Sequence, residues 1–376
     1  MFLKRVNAKK ILDSRRELTI EVSLNGVKAS SPSGKSTSKY ETPCFHKSLD
    51  WNIKFLNDAE FNLEINSFYD LRKVESYLKE KAKLKDVKKF GANALFALES
   101  AILKALAKEK KLELFQLLNI KPKKLPVPVG NAIGGGLHSH NKDAPTFQEF
   151  LLIPKNKTAK ENFYTLQKIH AQLKNQIHST KKNDEGAWQT SLNDEQIISL
   201  LSKFKDIRVG IDAAASAFYK NSEYSYKNKT LNRNSQIYYI NSLVKDYNLF
   251  YCEDPLQEED FKGFSKIKRD SNHLVVGDDL TATQISRVKK AIRLNSINAM
   301  IIKPNQNGSL IELAEIFKIC KENNIKTILS HRSGETLDDA LADFAVGFQA
   351  DFIKCGISTK WREAKLKRLV EIEILI

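Results

Sequence analysis

The chain is poor in the features that staple or anchor a protein. Its four cysteines, Cys44, Cys252, Cys320 and Cys355, are scattered with neither a pairing pattern nor metal-ligand spacing. That excludes a disulfide framework and argues against structural zinc. No stretch approaches the roughly 18 consecutive apolar residues that a membrane span needs, and the N-terminal MFLKRVNAKKILDSRR has neither the apolar core nor the small-residue cleavage site of a signal peptide. These absences predict a soluble, cytoplasmic chain with no membrane partner. Negative charge is also in deficit: 61 Lys and Arg stand against 45 Asp and Glu, a formal charge of +16. The excess is mostly lysine in segments such as KEKAKLKDVKK, without interleaved aromatics. A solvated surface is therefore preferred to a nucleic-acid site, although charge alone leaves a polyanion partner open.

What is present suits one large domain and a smaller one, since 376 residues at 41% hydrophobic content can fill two cores. RELTIEVSLNGVKASS alternates polar and apolar residues around Asn25-Gly26, which predicts a β meander, and the polar loop SPSGKSTSKYE follows. The period then becomes helical. In GANALFALESAILKALAKEK, residues Ala94, Leu95, Leu98, Ala101, Ile102, Ala105 and Leu106 share one face. KPKKLPVPVGN is the best linker candidate, so the expected division is residues 1–122, a small α+β domain, and residues 123–376.

The second part has a rhythm: a short apolar run, a polar residue at its end, then a helix-like stretch. The runs end at Asp212, Glu253, Asp278, Lys303, His331 and Lys354. This spacing of strand plus crossover helix predicts an α/β fold, a parallel (β/α) barrel, in which strand ends far apart in sequence meet at one mouth. Three carboxylates there repel one another unless a cation lies between them, and with no Cys or His beside them they favour a hard ion such as Mg²⁺. Any one of them alone could equally cap the following helix. Lys303 ends AMII, an apolar run with no use for an ammonium group. Beside a metal and away from water, its pKa is expected to fall, which would make it a base. Taken alone, it could simply pair with one of the acids. SHRSGET (330 to 336) groups His, Arg and hydroxyl side chains suited to a phosphate, and Lys354 can neutralise a carboxylate. Together these suggest proton abstraction next to the carboxylate of a small phosphorylated acid.

The residues resemble those of the enolase family, from near the first residue to the last. The resemblance is carried by ILDSR (11 to 15), PSGKST (32 to 37), GANA (91 to 94), QEF (148 to 150), NDEG (183 to 186), GIDAAASAFY (210 to 219), EDP (253 to 255), GDDLTAT (277 to 283), KPNQNGS (303 to 309), SHRSGET and IKCG (353 to 356). It implies an enolase-type (β/α)8 barrel behind a smaller α+β domain that carries a lid. It also implies a lyase of glycolysis and gluconeogenesis that interconverts 2-phosphoglycerate and phosphoenolpyruvate. Two Mg²⁺ ions are implied, the second bound with substrate. By the same resemblance Asp212, Glu253 and Asp278 hold the first ion and Ser36 of the lid the second. Lys303 is the base, Glu185 the acid that assists departure of the C3 hydroxyl, and Glu149 its partner carboxylate. His138, Gln148, His331, Arg332, Ser333 and Lys354 contact substrate.

Some positions depart from the family pattern. The lid reads PSGKSTS rather than PSGASTG, so Lys35 replaces a small residue, where it could touch phosphate, and Ser38 replaces a hinge glycine. GGGLHSH stands for NGGSHAG and NDEGA for GDEGG. The family's homodimer pairs a glutamate on the first strands with an arginine near the C-terminus. Here the places fall on Glu21 and Glu371, two like charges, so a dimer would have to do without that ion pair. An alternative is a scaffold or binding protein with weakened catalysis. Against it, every matched acid and base is retained. The lid serine and NDEG likewise disfavour other reactions of the superfamily.

Overall fold

The computed structural model describes all residues except 36, 37, 140, 142, 270 and 271, so the expected lid ligand Ser36 lies outside the described residues. The N-terminal part is built on a three-stranded antiparallel meander, Asn7–Leu12, Leu18–Leu24 and Val27–Ser30. Asn25 and Gly26 turn the second strand into the third with φ of 51° and 74°, the left-handed pair that a two-residue hairpin requires. The helix Ala92–Lys110 packs on this sheet. Its expected apolar face is buried, but so are Asn93, Glu99 and Ser100. The reason is a second neighbour: the short turn Pro304–Asn307, directly behind Lys303, packs on the same helix. There Asn305 Nδ2 donates to Asn93 Oδ1 at 2.9 Å.

The larger part is a closed barrel of eight strands. Of the segment read as a linker, the portion from Val127 onward is the first of them, Val127–Gly134. The rhythm read from Asp212 onward holds: Ile207–Asp212, Tyr251–Glu253, Leu274–Gly277, Ala299–Ile302, Lys326–Ser330 and Phe352–Lys354 are parallel neighbours. Glu149–Pro154, however, runs antiparallel to both its neighbours. Among the described residues between Gly134 and Glu149 the 3-10 turn Gly136–His138 is the only helical element, so no crossover helix seen there returns the chain to the far end of the barrel. Glu149 therefore begins its strand at the same mouth where the others end.

The strand Ala299–Ile302 shows why its sequence is apolar throughout. Ala299 and Ile301 face the barrel interior with Val129, Leu151, Tyr251 and Ile328, whereas Met300 and Ile302 face the surrounding helices. Among the described residues, no helix is long and apolar enough to cross a membrane. Gly308, at φ 97°, lets the Pro304–Asn307 turn approach the helix; a Cβ there would sit 2.7 Å from Ala92 Cα. Gly308→Ala is expected to cost about 1 to 3 kcal/mol through strain and displacement, measured as a lower urea midpoint with an unchanged far-ultraviolet spectrum.

Candidate active site

Strand register puts three acids in a row at the barrel mouth, with Asp212 opposite Glu253 on one side and Glu149 on the other. Lys354 comes from the strand Phe352–Lys354 and projects its ammonium into this row. Nζ lies 2.9 Å from Glu149 Oε2, 3.2 Å from Asp212 Oδ2 and 2.9 Å from both oxygens of Glu253. Burial opposes its charge, yet Glu149, Glu253 and Asp212 hold it well above the ordinary lysine value. One ammonium cannot balance three carboxylates. Burial and the charge of Asp212 accordingly push Glu253 well above the usual carboxylate range. Tyr251, inside the barrel, donates to Glu253 Oε2 at 2.5 Å.

Asp278 follows the strand Leu274–Gly277 and completes the expected trio. Its backbone N–H and that of Asp279 donate to Asp254 at 3.0 and 2.7 Å, so Asp254 shapes the turn that presents it. Asp278 Oδ2 accepts from Lys303 Nζ at 2.5 Å, while Oδ1 is buried with no hydrogen-bond partner. An orphaned carboxylate oxygen, all-oxygen donors and a surplus of negative charge fit a hard divalent cation. Asp212, Glu253 and Asp278 would hold it. The groups whose ligand atoms lie within 4.8 Å of one another among the described residues are Asp254, Asp278 and Asp279, and His138, Glu149 and Glu185; Asp212 and Glu253 belong to neither. With the chain's own groups alone, burial lowers the pKa of Lys303, but Asp278 outweighs burial and Arg332, and the ammonium is held above its ordinary value; the fall expected beside a metal belongs to the loaded site. In this state Lys303 is an ion-pair partner, charged and bound.

The facing wall carries Glu185, Glu149 and two histidines. His138 Nδ1 is 3.5 Å from Glu149 Oε1 and 3.9 Å from Glu185 Oε1, and His331 Nε2 is 3.9 Å from Glu185 Oε2. Asn131 Nδ2 donates to Glu185 Oε2 at 3.1 Å. Burial lowers His138, but Glu185 and Glu149 carry it above the usual histidine value. Burial raises Glu185, yet His138, His331 and Arg362 together hold it well below the carboxylate range, whereas burial raises Glu149 despite Lys354. The surrounding charges thus favour the carboxylate form of Glu185, and burial favours the protonated form of Glu149. Gln148 Nε2 reaches Asp212 Oδ2 at 3.4 Å.

At the expected phosphate end, Arg332 is already engaged. Its Nη2 donates to both oxygens of Glu41, at 2.9 and 3.1 Å, and Nη1 to Asn305 Oδ1 at 3.1 Å. Gly34 of the lid lies against this guanidinium, where any Cβ would collide with it. Ser333 Oγ accepts from Lys35 N at 2.7 Å and Arg15 Nη1 at 3.1 Å. Lys35 Nζ lies 3.7 Å from Asp184 and 3.5 Å from the Leu137 carbonyl, so the new lysine bridges the two altered loops. These groups enclose a cavity of about 330 Å³ lined by Glu149, Glu185, Asp278, Lys303, Arg332 and Lys354. Glu41, Tyr251, Asp254 and Arg362 went unforeseen. Asp254 was visible in EDP and Arg15 in ILDSR, but nothing local marks Glu41, Tyr251 or Arg362.

The two altered loops compensate. Asn183 Oδ1 accepts the backbone N–H groups of Glu185 and Ala187 at 3.0 and 2.9 Å, and its Nδ2 occupies the space a Cβ on Gly134 would take. An asparagine has in effect crossed from one loop to the other. Gly134→Asn alone should therefore lower kcat/KM by tenfold or more, roughly the cost of an overpacked, displaced site residue, and Gly134→Asn with Asn183→Gly should restore most of it. For the cation site, Mg²⁺ should raise the melting temperature by a few degrees through binding to the folded chain, and Asp278→Ala should abolish that rise in a thermal-shift titration.

The family profile described as "Enolase, C-terminal TIM barrel domain" matches residues 122–376, and "Enolase, N-terminal domain" matches residues 3–118. The chain is 34% identical over 402 residues to an enolase of Archaeoglobus fulgidus, covering 100% of this chain and 98% of that one. It is 35% identical over 391 residues to an enolase of Methanocorpusculum labreanum, with 96% of each covered. An enolase of Ehrlichia ruminantium is 34% identical over 411 residues, covering 100% of this chain and 96% of the relative.

Proposed function

The chain belongs to the enolase family and is a lyase, a phosphopyruvate hydratase, and we propose that its site interconverts 2-phosphoglycerate and phosphoenolpyruvate with two Mg²⁺ ions. The observation that carries this reading is the opposition across the barrel mouth. Lys303 follows one strand and Glu149 begins the strand diametrically opposite in the closed order, with Glu185 beside it. A base on one face of a small acid and an acid on the other is what removal of a C2 proton and departure of a C3 hydroxyl require.

When bound, the cations supply electrostatic stabilisation for the second negative charge that develops beside the substrate carboxylate. The chain's own groups do the rest. Asp278 keeps the Lys303 ammonium aimed into the cavity, and a ligand that engages Asp278 weakens the ion pair that holds Lys303 protonated. Lys354 faces the substrate carboxylate. Arg332 and Ser333, presented by SHRSGET, bind the phosphate, which competes with Glu41 for the guanidinium. Ser36 joins from the lid. Glu149 and Glu185, whose carboxylate oxygens lie within 4.8 Å of each other, pass one proton between them, so that Glu185 can deliver it to the leaving hydroxyl, with His138, Gln148 and His331 closing that wall.

In this reading residues 1–122 form the lid-bearing unit and residues 123–376 the catalytic barrel. The protein works in the cytoplasm as a homodimer that does without the family's ion pair. Glu21 is neutralised within the chain by Lys9 and Lys28, and Glu371 by Arg368. The test is the Mg²⁺-dependent rise in phosphoenolpyruvate absorbance on adding 2-phosphoglycerate. Lys303→Ala should lower kcat by about 10² to 10⁴, the usual contribution of a general base, while the variant still binds substrate. Unchanged turnover in that variant would remove Lys303 from its role.

A further inference from the structure

Arg362 has no part in the reaction as proposed, yet it is the largest fully buried side chain among the described residues. It lies in the first turn of the helix Lys360–Leu375. Its guanidinium addresses three successive residues of SHRSGET. Nη1 is 2.6 Å from His331 Nδ1 and 2.5 Å from the Arg332 carbonyl, and Nη2 is 2.7 Å from the Ser333 carbonyl. Gly356 packs against its stem, where a Cβ would lie 3.1 Å from Cγ.

The two carbonyl contacts alone would only hold a loop. The contact with His331 does more, because a guanidinium donates and never accepts. The ring nitrogen that faces it must carry a lone pair, and a neutral imidazole with a bare Nδ1 has its single proton on Nε2. That nitrogen faces Glu185 Oε2 at 3.9 Å, too long for a direct hydrogen bond, so its N–H can address an oxygen that enters between them, while Oε2 already accepts from Asn131 Nδ2. The charges that act most strongly on His331 are those of Arg362, Lys354 and Lys303, opposed by Glu185. Burial and this cationic majority hold the imidazole well below its ordinary pKa.

We propose that Arg362 is a positioning residue that locks His331 in the Nε2–H tautomer, making it a fixed donor beside Glu185 with no nitrogen left to accept a proton. Proton traffic on this wall then belongs to Glu185 and Glu149. The role this gives His331 rests on the dehydratase reading, but the tautomer can be measured with neither substrate nor metal, so failure of one is separable from failure of the other.

The experiment is long-range ¹H–¹⁵N NMR of the full chain labelled in its histidine rings, with His331 assigned by the signals lost in His331→Asn. Spectra run from about pH 5.5 to about pH 9, a range that spans the ordinary histidine value of about 6.5. His331 should show an unprotonated Nδ1 and a protonated Nε2 throughout, with no titration. In Arg362→Met the ring should become a tautomer mixture and titrate within the range, and kcat should gain an acid limb absent from the native profile. Arg362→Lys, which keeps one donor, should retain the native tautomer. An Nδ1–H ring or a titrating His331 in the native chain overturns the proposal, as does an Arg362→Met spectrum identical to the native one. Should Arg362→Met fail to fold, the native spectrum still decides: a bare Nδ1 at every pH supports the lock, and any other state defeats it.

Discussion

The ammonium of Lys354, held among Glu149, Asp212 and Glu253, is the interaction on which the site depends. It lets three carboxylates stand in register on adjacent strands in a buried place. It also leaves them under-neutralised, and the raised carboxyl of Glu253 registers that deficit. Lys303 does the same for Asp278 one strand pair further round. The mouth is thus an assembly in which both lysines are bound to acids and negative charge remains in surplus. A divalent cation would be held by the carboxylates and would supply the positive charge that the two lysines leave short.

A second constraint ties the N-terminal part to this mouth. Arg332 of the barrel is clamped by Glu41, Ser333 is shared by Arg15 and the lid backbone at Lys35, and Asn305 joins the meander's helix through Asn93. The end of the mouth that holds Arg332 and Ser333 is therefore built from both parts of the chain. Lid geometry, the close approach of Gly34 and the turn behind Lys303 all follow from that docking. Lys35, which bridges Asp184 and Leu137, adds a link between the lid and the loops around Glu185.

The altered loops show how a site tolerates drift. Read one at a time, Gly134 and Asn183 each look like the loss of a useful residue. In three dimensions the amide of Asn183 fills the room that Gly134 leaves and anchors the backbone of Glu185. Substitutions that are adjacent in space and distant in sequence can be neutral together, because packing responds to total volume and not to the position that supplies it.

Much of this architecture was legible from residues alone. The meander with its Asn25-Gly26 turn, the six parallel strand ends from Asp212 to Lys354 and the apolar helix of the N-terminal part are local patterns, set by backbone conformation and hydrophobic period. The candidate acids and lysines were legible because ordered motifs carried them. What sequence could not decide were properties of encounter. The antiparallel direction of Glu149–Pro154 depends on how a helix-free loop closes. The clamp of Glu41 on Arg332 and the contact of Arg362 with His331 join residues hundreds or tens of positions apart. Protonation was decided the same way. Asp278 favours the charged form of Lys303, and His138, His331 and Arg362 that of Glu185, because a buried group's pKa is set by the charges folding brings within a few ångströms, and no local sequence encodes that distance.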